Sequence, residues 1–175
     1  MKDRYSRLSA SNLLTALFAA ALLAGCGAKT APVQPLEITQ GTVCALDDMV
    51  LQDFPGPKAQ IHYEQSAPEF YCDTREMFSI VLRPEQKRRI VAVYTQDMGK
   101  TDWTHPQGHW IDARAAFYVV GSSRKGSMGP TVASFGAEAD AKAFFTQYGG
   151  KVLRFDQVTL NMVDLTGGIV HDEKM

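Results

Sequence analysis

The stretch TVASFGAEADAKAFFTQYGGKVLRFDQV, residues 131–158, decides the fold class. It opens with TVASF (131–135), whose β-branched and aromatic residues favour a strand. The Ala-rich AEADAKAFFTQYG (137–149) has apolar residues at helical spacing and glycines at its end, which predicts a helix. KVLRFDQV (151–158) is predicted as a strand after the helix, and AAFYVVGS (115–122) as a strand before the stretch. The predicted order is therefore β-β-α-β.

The preceding part of the chain predicts the same order. It begins with an apolar stretch at 49–51 and a PGP turn, followed by the alternating strand KAQIHY (58–63). A helix is predicted over 73–82, because Asp73-Thr74 forms a typical cap and a proline follows its end. The next strand is RRIVAVYTQ (88–96).

The two halves together predict an α+β fold of two similar ββαβ subdomains packed together. The first subdomain is assigned to residues 41–97 and the second to 115–175. Residues 98–114 connect them and hold both tryptophans and two of the four histidines. Because aromatic rings rarely remain in a free linker, we expect this connecting segment to pack across the two subdomains.

Composition is that of an ordinary globular protein, with 175 residues, 45% hydrophobic and 21% charged. The formal net charge is −1, with 18 basic and 19 acidic residues. A protein that binds nucleic acid needs a basic surface to neutralise phosphates. The charge balance therefore argues against nucleic acid as a partner.

The N-terminus is typical of a bacterial export signal, with basic residues followed by the apolar run LLTALFAAALLAG and then Cys26. The run is short for a bilayer-spanning helix. Its end, Leu23-Ala24-Gly25-Cys26, resembles a lipobox, which predicts a signal peptide over residues 1–25 and lipidation of Cys26; an ordinary signal peptide with an incidental cysteine is the alternative. No Asp follows Cys26, which favours the outer membrane, with the rest of the protein in the periplasm.

Residues 26–40 contain two prolines, no aromatic residue and no clear periodicity, so we expect a flexible tether after the lipidated cysteine. The folded region is then expected to begin near Gly41.

Lipidation of Cys26 leaves Cys44 and Cys72, which in an oxidising compartment can form a structural disulfide. The alternative for Cys44 is a metal site, because CALDDM (44–49) carries a thiol, a thioether and two carboxylates. In an extended strand Cys44 and Met49 would lie on opposite faces, so a shared metal requires a turn, which Asp47-Asp48 can supply. Soft thiolate and thioether ligands select Cu(I), whereas the oxygen ligands are too few for Ca²⁺.

Common catalytic signatures are absent from the sequence: there is no GxSxG, Walker P-loop, HExxH, GxGxxG after a strand, or CxxC. The protein is therefore not predicted to be an enzyme. The remaining chemistry lies in the methionines. Met77 falls on the apolar side of a predicted helix and is expected in the core, whereas Met49 and Met128 adjoin turn-forming residues, where side chains tend to lie near a surface or a site.

Several long motifs resemble the NosL family of lipoprotein accessory factors for nitrous oxide reductase. The similarity extends over about residues 26–171. Its motifs are CALDDMVLQDFPGPKAQIHY, FYCDTREMFS, VYTQDMGKTDW, HPQGHWIDA and YVVGSSRKGSMGPTVASF.

The resemblance implies a periplasm-facing copper chaperone. Such a protein binds one Cu(I) and passes it to an ABC-type maturation complex, which assembles the copper–sulfur centre of nitrous oxide reductase. The resemblance also implies a relation to the fold of organomercurial lyase.

Carried over to this chain, the metal ligands of the family fall on Cys44, Met49 and Met128. Some family members have CxxCGM where this chain has CALDDM, so a two-thiol site is not implied. Asp47 and Asp48 are expected to fix the turn and keep the entrance negative. His62 is a candidate further ligand, although a half-exposed strand histidine explains it equally well, and Cys72 is either a ligand or a buried residue beside a helix start.

Two other functions remain open at this point. One is a structural lipoprotein with a Cys44–Cys72 disulfide and methionines used only for packing. The other is an organometal-cleaving enzyme on the related fold, which would need two adjacent thiols and a carboxylate proton donor but no methionine.

Overall fold

The computed structural model describes residues 32–165. The predicted signal peptide, the lipidation residue Cys26 and the first part of the predicted tether lie outside the described residues. The compact unit that contains the fold begins at Val33. Among residues 32–165, no helix has the length and apolarity needed to cross a bilayer.

The first half of the fold is a four-stranded antiparallel sheet with one helix. Its strands are β1 (Ala59–Tyr63), β2 (Glu69–Tyr71), β3 (Ile90–Gln96) and β4 (Trp110–Asp112), in the order β2-β1-β3-β4. Helix α1 (Thr74–Val81) connects β2 to β3. It begins after Asp73, which caps it as the sequence predicts.

The second half is a three-stranded antiparallel sheet with the other helix. Its strands are β5 (Phe117–Gly126), β6 (Gly129–Phe135) and β7 (Lys151–Arg154), in the order β6-β5-β7. Helix α2 (Glu138–Tyr148) connects β6 to β7. Gly149 has a φ of +69°, a left-handed conformation that is typical of a glycine ending a helix.

Both halves have the same connection pattern. In each, the first strand is central, the second strand pairs with it in a hairpin, and the strand after the helix pairs on its other side. The predicted α+β class with two ββαβ units is therefore confirmed. The implied relation to organomercurial lyase and the boundaries between subdomains stay predictions.

Several elements differ from the sequence prediction. The second strand of the first half is the three-residue β2, and the apolar stretch at 49–51 instead leads into a 3-10 turn, Leu51–Asp53. The connecting segment contributes β4, which pairs with β3 and extends the first sheet. Strand β7 ends at Arg154 because a 3-10 turn, Phe155–Gln157, follows it.

Residues 33–38, here called the arm, lie against the four-stranded sheet. Leu36 N–H donates to Gln60 Oε1 (2.8 Å), and Gln60 Nε2 donates to Leu36 O (2.9 Å). Tyr94 O–H donates to Val33 O, and Trp110 Nε1 donates to a carboxylate oxygen of Glu37 (3.4 Å). The described part of the tether predicted over residues 26–40 is thus hydrogen-bonded to the sheet from Val33 to Glu37.

The two sheets share one hydrophobic core around helix α1. Met77 and Phe78 are fully buried and pack with Ile61 and Val93 of the first sheet. The same cluster contains Tyr118, from the second sheet, whose ring lies edge-on to Phe78 with centroids 4.8 Å apart. A second cluster joins the connecting segment to α2, where Trp103 stacks on Phe144 with centroids 5.4 Å apart, as expected for an aromatic segment that packs.

We expect Phe78→Ala to lower the free energy of unfolding by about 3 to 5 kcal/mol, because it empties the centre of the shared core. Phe145→Ala is the matched control, since Phe145 on α2 is 43% exposed, and its effect should be within about 0.5 kcal/mol. Urea unfolding measures both. Equal effects in the two variants would contradict the assignment of Phe78 to the core.

Candidate metal centre

The CALDDM segment forms a tight turn. Cys44 N–H donates to Met49 O (2.9 Å), Asp48 N–H donates to Cys44 O (3.1 Å), and Val43 and Val50 form an isolated antiparallel bridge. Asp48 has a φ of +60°, which Asp tolerates better than most residues, and Asp47 Oδ1 accepts from Met49 N–H (3.1 Å). The turn predicted at Asp47-Asp48 is therefore present.

Two buried thiols meet at one carboxylate beside this turn. Cys44 and Cys72 are both fully buried, and both donate from Sγ to Glu76 Oε2 at 3.3 Å. They are free thiols and not a disulfide. Asp47 joins them, so that one ligand atom from each of these four residues lies within 4.8 Å of the others. The group can therefore hold a metal ion.

Helix α1 explains why these side chains converge. Cys72 lies directly before the capping residue Asp73, and Glu76 lies in the first turn of the helix. Helical side chains tilt toward the N-terminus, which directs Glu76 back toward Cys72, four residues earlier. The loop that holds Cys44 is joined to β2 by a hydrogen bond from Ala45 N–H to Phe70 O (2.8 Å).

The protonation of Cys72 is set by its surroundings. Its contact with Cys44 and its burial both raise the pKa of the Cys72 thiol, and the nearby Glu76 carboxylate adds to the effect. The metal-free site therefore holds this sulfur in its protonated form at neutral pH. A metal that binds Cys72 must displace that proton.

A cavity of about 530 Å³ opens beside the thiol pair. Asp47, Asp73 and Glu76 line it from the first half, and Met128 and Pro130 line it from the second half. It is also lined by Leu46, Arg75 and Leu165. The two cysteines are not in its wall, so they lie just behind the carboxylates.

Met128 lies at the tip of the β5–β6 hairpin and is 57% exposed. The residue before it, Ser127, donates from its hydroxyl to Cys72 O at 2.9 Å, which fixes the hairpin tip next to the thiols. Of the predicted candidates, Cys44 and Asp47 belong to the four-residue group, and Met128 lines the adjoining cavity together with Asp47. Met49 is half-buried and packs against the cluster of Cys44, Leu51 and Cys72.

The structure does not bring His62 or Asp48 into this group. His62 is buried, with Nε2 2.7 Å from Gln60 Oε1 and its ring edge-on to Tyr94. Burial lowers the pKa of His62. Asp48 is exposed. In the described part of the chain, residues 32–165, the group of converging ligand atoms includes neither His62 nor Asp48.

The sequence leaves the role of Cys72 open and does not single out Glu76 as part of a site. The available signal is their spacing: Cys72 and Glu76 are four residues apart across a helix start, which places them side by side. What the spacing cannot show is that Cys44 lies beside them.

Two buried ionisable side chains, Lys58 and Asp73, adjoin the site. Lys58 is almost fully buried and donates from Nζ to Pro55 O and Cys72 O, each at 3.0 Å; burial lowers the pKa of Lys58 to about 8. Asp73 accepts from Arg75 N–H and from Thr131 Oγ1 of β6, each at 2.8 Å. Burial raises the pKa of Asp73 to about 7. Both residues hold the backbone next to Cys72 in place.

The fold and the site together define an α+β protein with a candidate soft-metal centre, formed where its two sheets meet. The NosL family model matches residues 35–163, and the chain belongs to the NosL family. This confirms the resemblance of the sequence motifs.

Relatives of known identity agree over most of the chain. The copper-binding lipoprotein NosL of Stutzerimonas stutzeri is 40% identical over 169 residues, which is 94% of this chain and 88% of that protein. The copper-binding lipoprotein NosL of Achromobacter cycloclastes is 40% identical over 151 residues, which is 83% of this chain and 78% of that protein. The crystal structure of the copper chaperone NosL from Shewanella denitrificans superposes with a TM-score of 0.72 at 41% identity, covering 75% of this chain and 99% of that one.

We expect Gly126→Ala to destabilise the protein by about 1 to 3 kcal/mol, because there is no room for a side chain between Asp73 and β6. An added Cβ would lie 2.4 Å from Asp73 Oδ2 and 2.8 Å from Thr131 Cβ. Gly41→Ala is the control, since nothing lies within 4 Å of its added Cβ. Urea unfolding compares the two, and a Gly126 variant as stable as the control would show that the Asp73 contact is not tight.

Proposed function

We propose that this protein is a periplasm-facing lipoprotein that binds Cu(I) and delivers it for assembly of the copper–sulfur centre of nitrous oxide reductase. The observation that carries the proposal is the buried Cys44 thiol beside a cavity whose rim carries the exposed Met128 thioether. Membership of a family whose relatives are named copper-binding lipoproteins and copper chaperones supports it.

Copper is the cargo of this site. Cys44 supplies a thiolate, and Met49 and Met128 supply thioethers from either side of it. Sulfur ligands of this kind favour Cu(I) over harder ions. Cu(I) has a filled d shell and little geometric preference, so ligands can be exchanged with a partner one at a time while the ion stays bound. Asp47 keeps the entrance negative and, through its bond to Met49 N–H, holds the turn.

The lipid anchor places this exchange at a membrane. Cys26 is proposed as the lipidated residue, with the outer membrane as the site of anchoring, and the relatives named lipoproteins support an anchor. A multi-chain anchor is far more durable than a single acyl chain. The recipient is proposed to be an ABC-type maturation complex, and anchoring confines the search for it to the membrane surface.

We expect Met128→Leu to raise the Kd for Cu(I) by more than about tenfold. Leucine removes the thioether sulfur but keeps an apolar side chain of similar volume. Cys44→Ser should have a larger effect, since it removes the thiolate. Serine is chosen because it is close to cysteine in size and therefore fits the buried position of Cys44. Met162→Leu is the matched control, at a methionine that is 38% exposed and outside the cavity wall. Competition against a Cu(I) chelator of known affinity measures all three, and unchanged affinity in both site variants would exclude this copper site.

We expect alkylation of the denatured protein, purified without reductant, to label both Cys44 and Cys72. The expected result follows from two free thiols that share Glu76 as acceptor. Mass spectrometry counts the labels. Labelling of neither cysteine until a reductant is added would favour the structural lipoprotein with a Cys44–Cys72 disulfide.

One observation favours a second function, an organometal-cleaving enzyme. Such an enzyme needs two adjacent thiols and a carboxylate proton donor, and Cys44, Cys72 and Glu76 provide that arrangement. The naming of relatives as copper chaperones argues against it. Turnover of an organomercurial that is abolished by Cys72→Ser but unaffected by Met128→Leu would support the enzyme over the chaperone.

A further inference from the structure

The thiol pair has two different sides. The cavity lies on one side, where Asp47, Glu76 and Met128 form its wall. Ile38, the last residue of the arm, packs against the cluster of Cys44, Leu51 and Cys72. Ile38 is not part of the cavity wall. Gln52 Nε2 also donates to Ile38 O at 3.4 Å. The end of the arm therefore packs against the cluster that contains the thiols, at a residue outside the cavity wall.

Gln60 pairs with the middle of the arm through both the oxygen and the nitrogen of its side-chain amide, in addition to the bonds that Tyr94 and Trp110 donate to the arm. Its Oε1 accepts from Leu36 N–H (2.8 Å), and its Nε2 donates to Leu36 O (2.9 Å), so the amide pairs with the arm as a neighbouring strand would. Residues alternate between faces along β1, and Ile61 packs in the core with α1, so Gln60 and His62 point to the opposite face.

His62 fixes the orientation of that amide. Its Nε2 lies 2.7 Å from Gln60 Oε1, and because a carbonyl oxygen only accepts, His62 donates this hydrogen bond. The same oxygen thus accepts from Leu36 N–H and from His62, which prevents the amide from rotating. Gln60 is fully buried and His62 is 5% exposed, so water cannot easily replace either partner.

We propose that Gln60 and His62 are positioning residues for the metal centre: they hold the arm across the sheet so that Ile38 closes off the thiols and leaves the cavity as the route of access. The assignment of the ion rests on the proposed function, but the protection of the thiols does not. It also gives His62 a role other than that of a metal ligand.

The test uses the metal-free full chain with Cys26→Ser in every variant, so that only Cys44 and Cys72 can react. Gln60→Leu removes the side-chain amide. Leu36→Pro removes the backbone N–H that donates to Gln60 Oε1, and it does so at a residue that is 49% exposed and so outside the core. Each should increase the rate of thiol alkylation about tenfold, since each removes hydrogen bonds that close the arm. The double variant should react no faster than Gln60→Leu alone, because Gln60→Leu already removes both hydrogen bonds between the amide and Leu36.

Gln65→Leu is the control, at an exposed glutamine of the β1–β2 turn, and its alkylation rate should not change. Unchanged rates in Gln60→Leu and Leu36→Pro, additive effects in the double variant, or equal acceleration by Gln65→Leu would each overturn the proposal. If Gln60→Leu does not fold, Leu36→Pro alone decides.

A second readout separates this proposal from the proposed function. Release of Cu(I) to a chelator should be faster in Leu36→Pro than in the parent chain. If the parent chain binds no Cu(I), the proposed function fails, while the alkylation rates still decide whether the arm protects the thiols.

Discussion

The hydrogen bonds that Asp73 accepts join the start of helix α1 to the second sheet. One comes from Arg75 N–H and starts helix α1, and the other comes from Thr131 Oγ1 on β6 of the second sheet. The same carboxylate therefore caps a helix and joins the two sheets. Because Cys72 immediately precedes Asp73 and Glu76 follows in the first helical turn, the position of both site residues depends on this cap. The helix start thus positions half of the candidate metal centre, and the loop of Cys44 and Asp47 supplies the other half.

The charges around this cap explain how buried thiols can become thiolates. Lys58 contacts Cys72, and its burial lowers the pKa of its ammonium group. Negative charge on its acidic neighbours acts in the opposite direction and raises the pKa of Lys58; these neighbours are Asp73, Cys72, Glu76 and Cys44. An ion that binds the sulfurs releases their protons and leaves negative charge in a region of low dielectric. The ammonium group of Lys58 offsets that charge only if it stays protonated, and the thiolates themselves favour its protonated form. Under the proposed function, the Lys58 cation and the metal-bound thiolates stabilise each other.

The parts of this structure that follow from the sequence are those set by local interactions. The cap at Asp73, the glycine at the end of α2 and the turn at Asp47-Asp48 depend on neighbouring residues only, and all three are present. The three-residue strands β2 and β4 are too short to give a pattern, and they exist because longer neighbours pair with them. His62 is another residue whose surroundings the sequence does not predict. Alternation along β1 places it on the face opposite to Ile61. That face is covered by the arm, whose composition is that of an ordinary tether and gives no sign that it docks there.

The unequal exposure of the two main candidate ligands suggests an order for ligand exchange under the proposed function. Met128 is more than half exposed at a hairpin tip, whereas Cys44 is fully buried behind the carboxylates. A partner approaching through the cavity meets the neutral thioether first, and a thioether is a weaker ligand than a thiolate. Its replacement leaves the copper attached to the buried sulfur while a new ligand is added. The thiolate bond is then the last to break, so the ion need not enter solution at any stage.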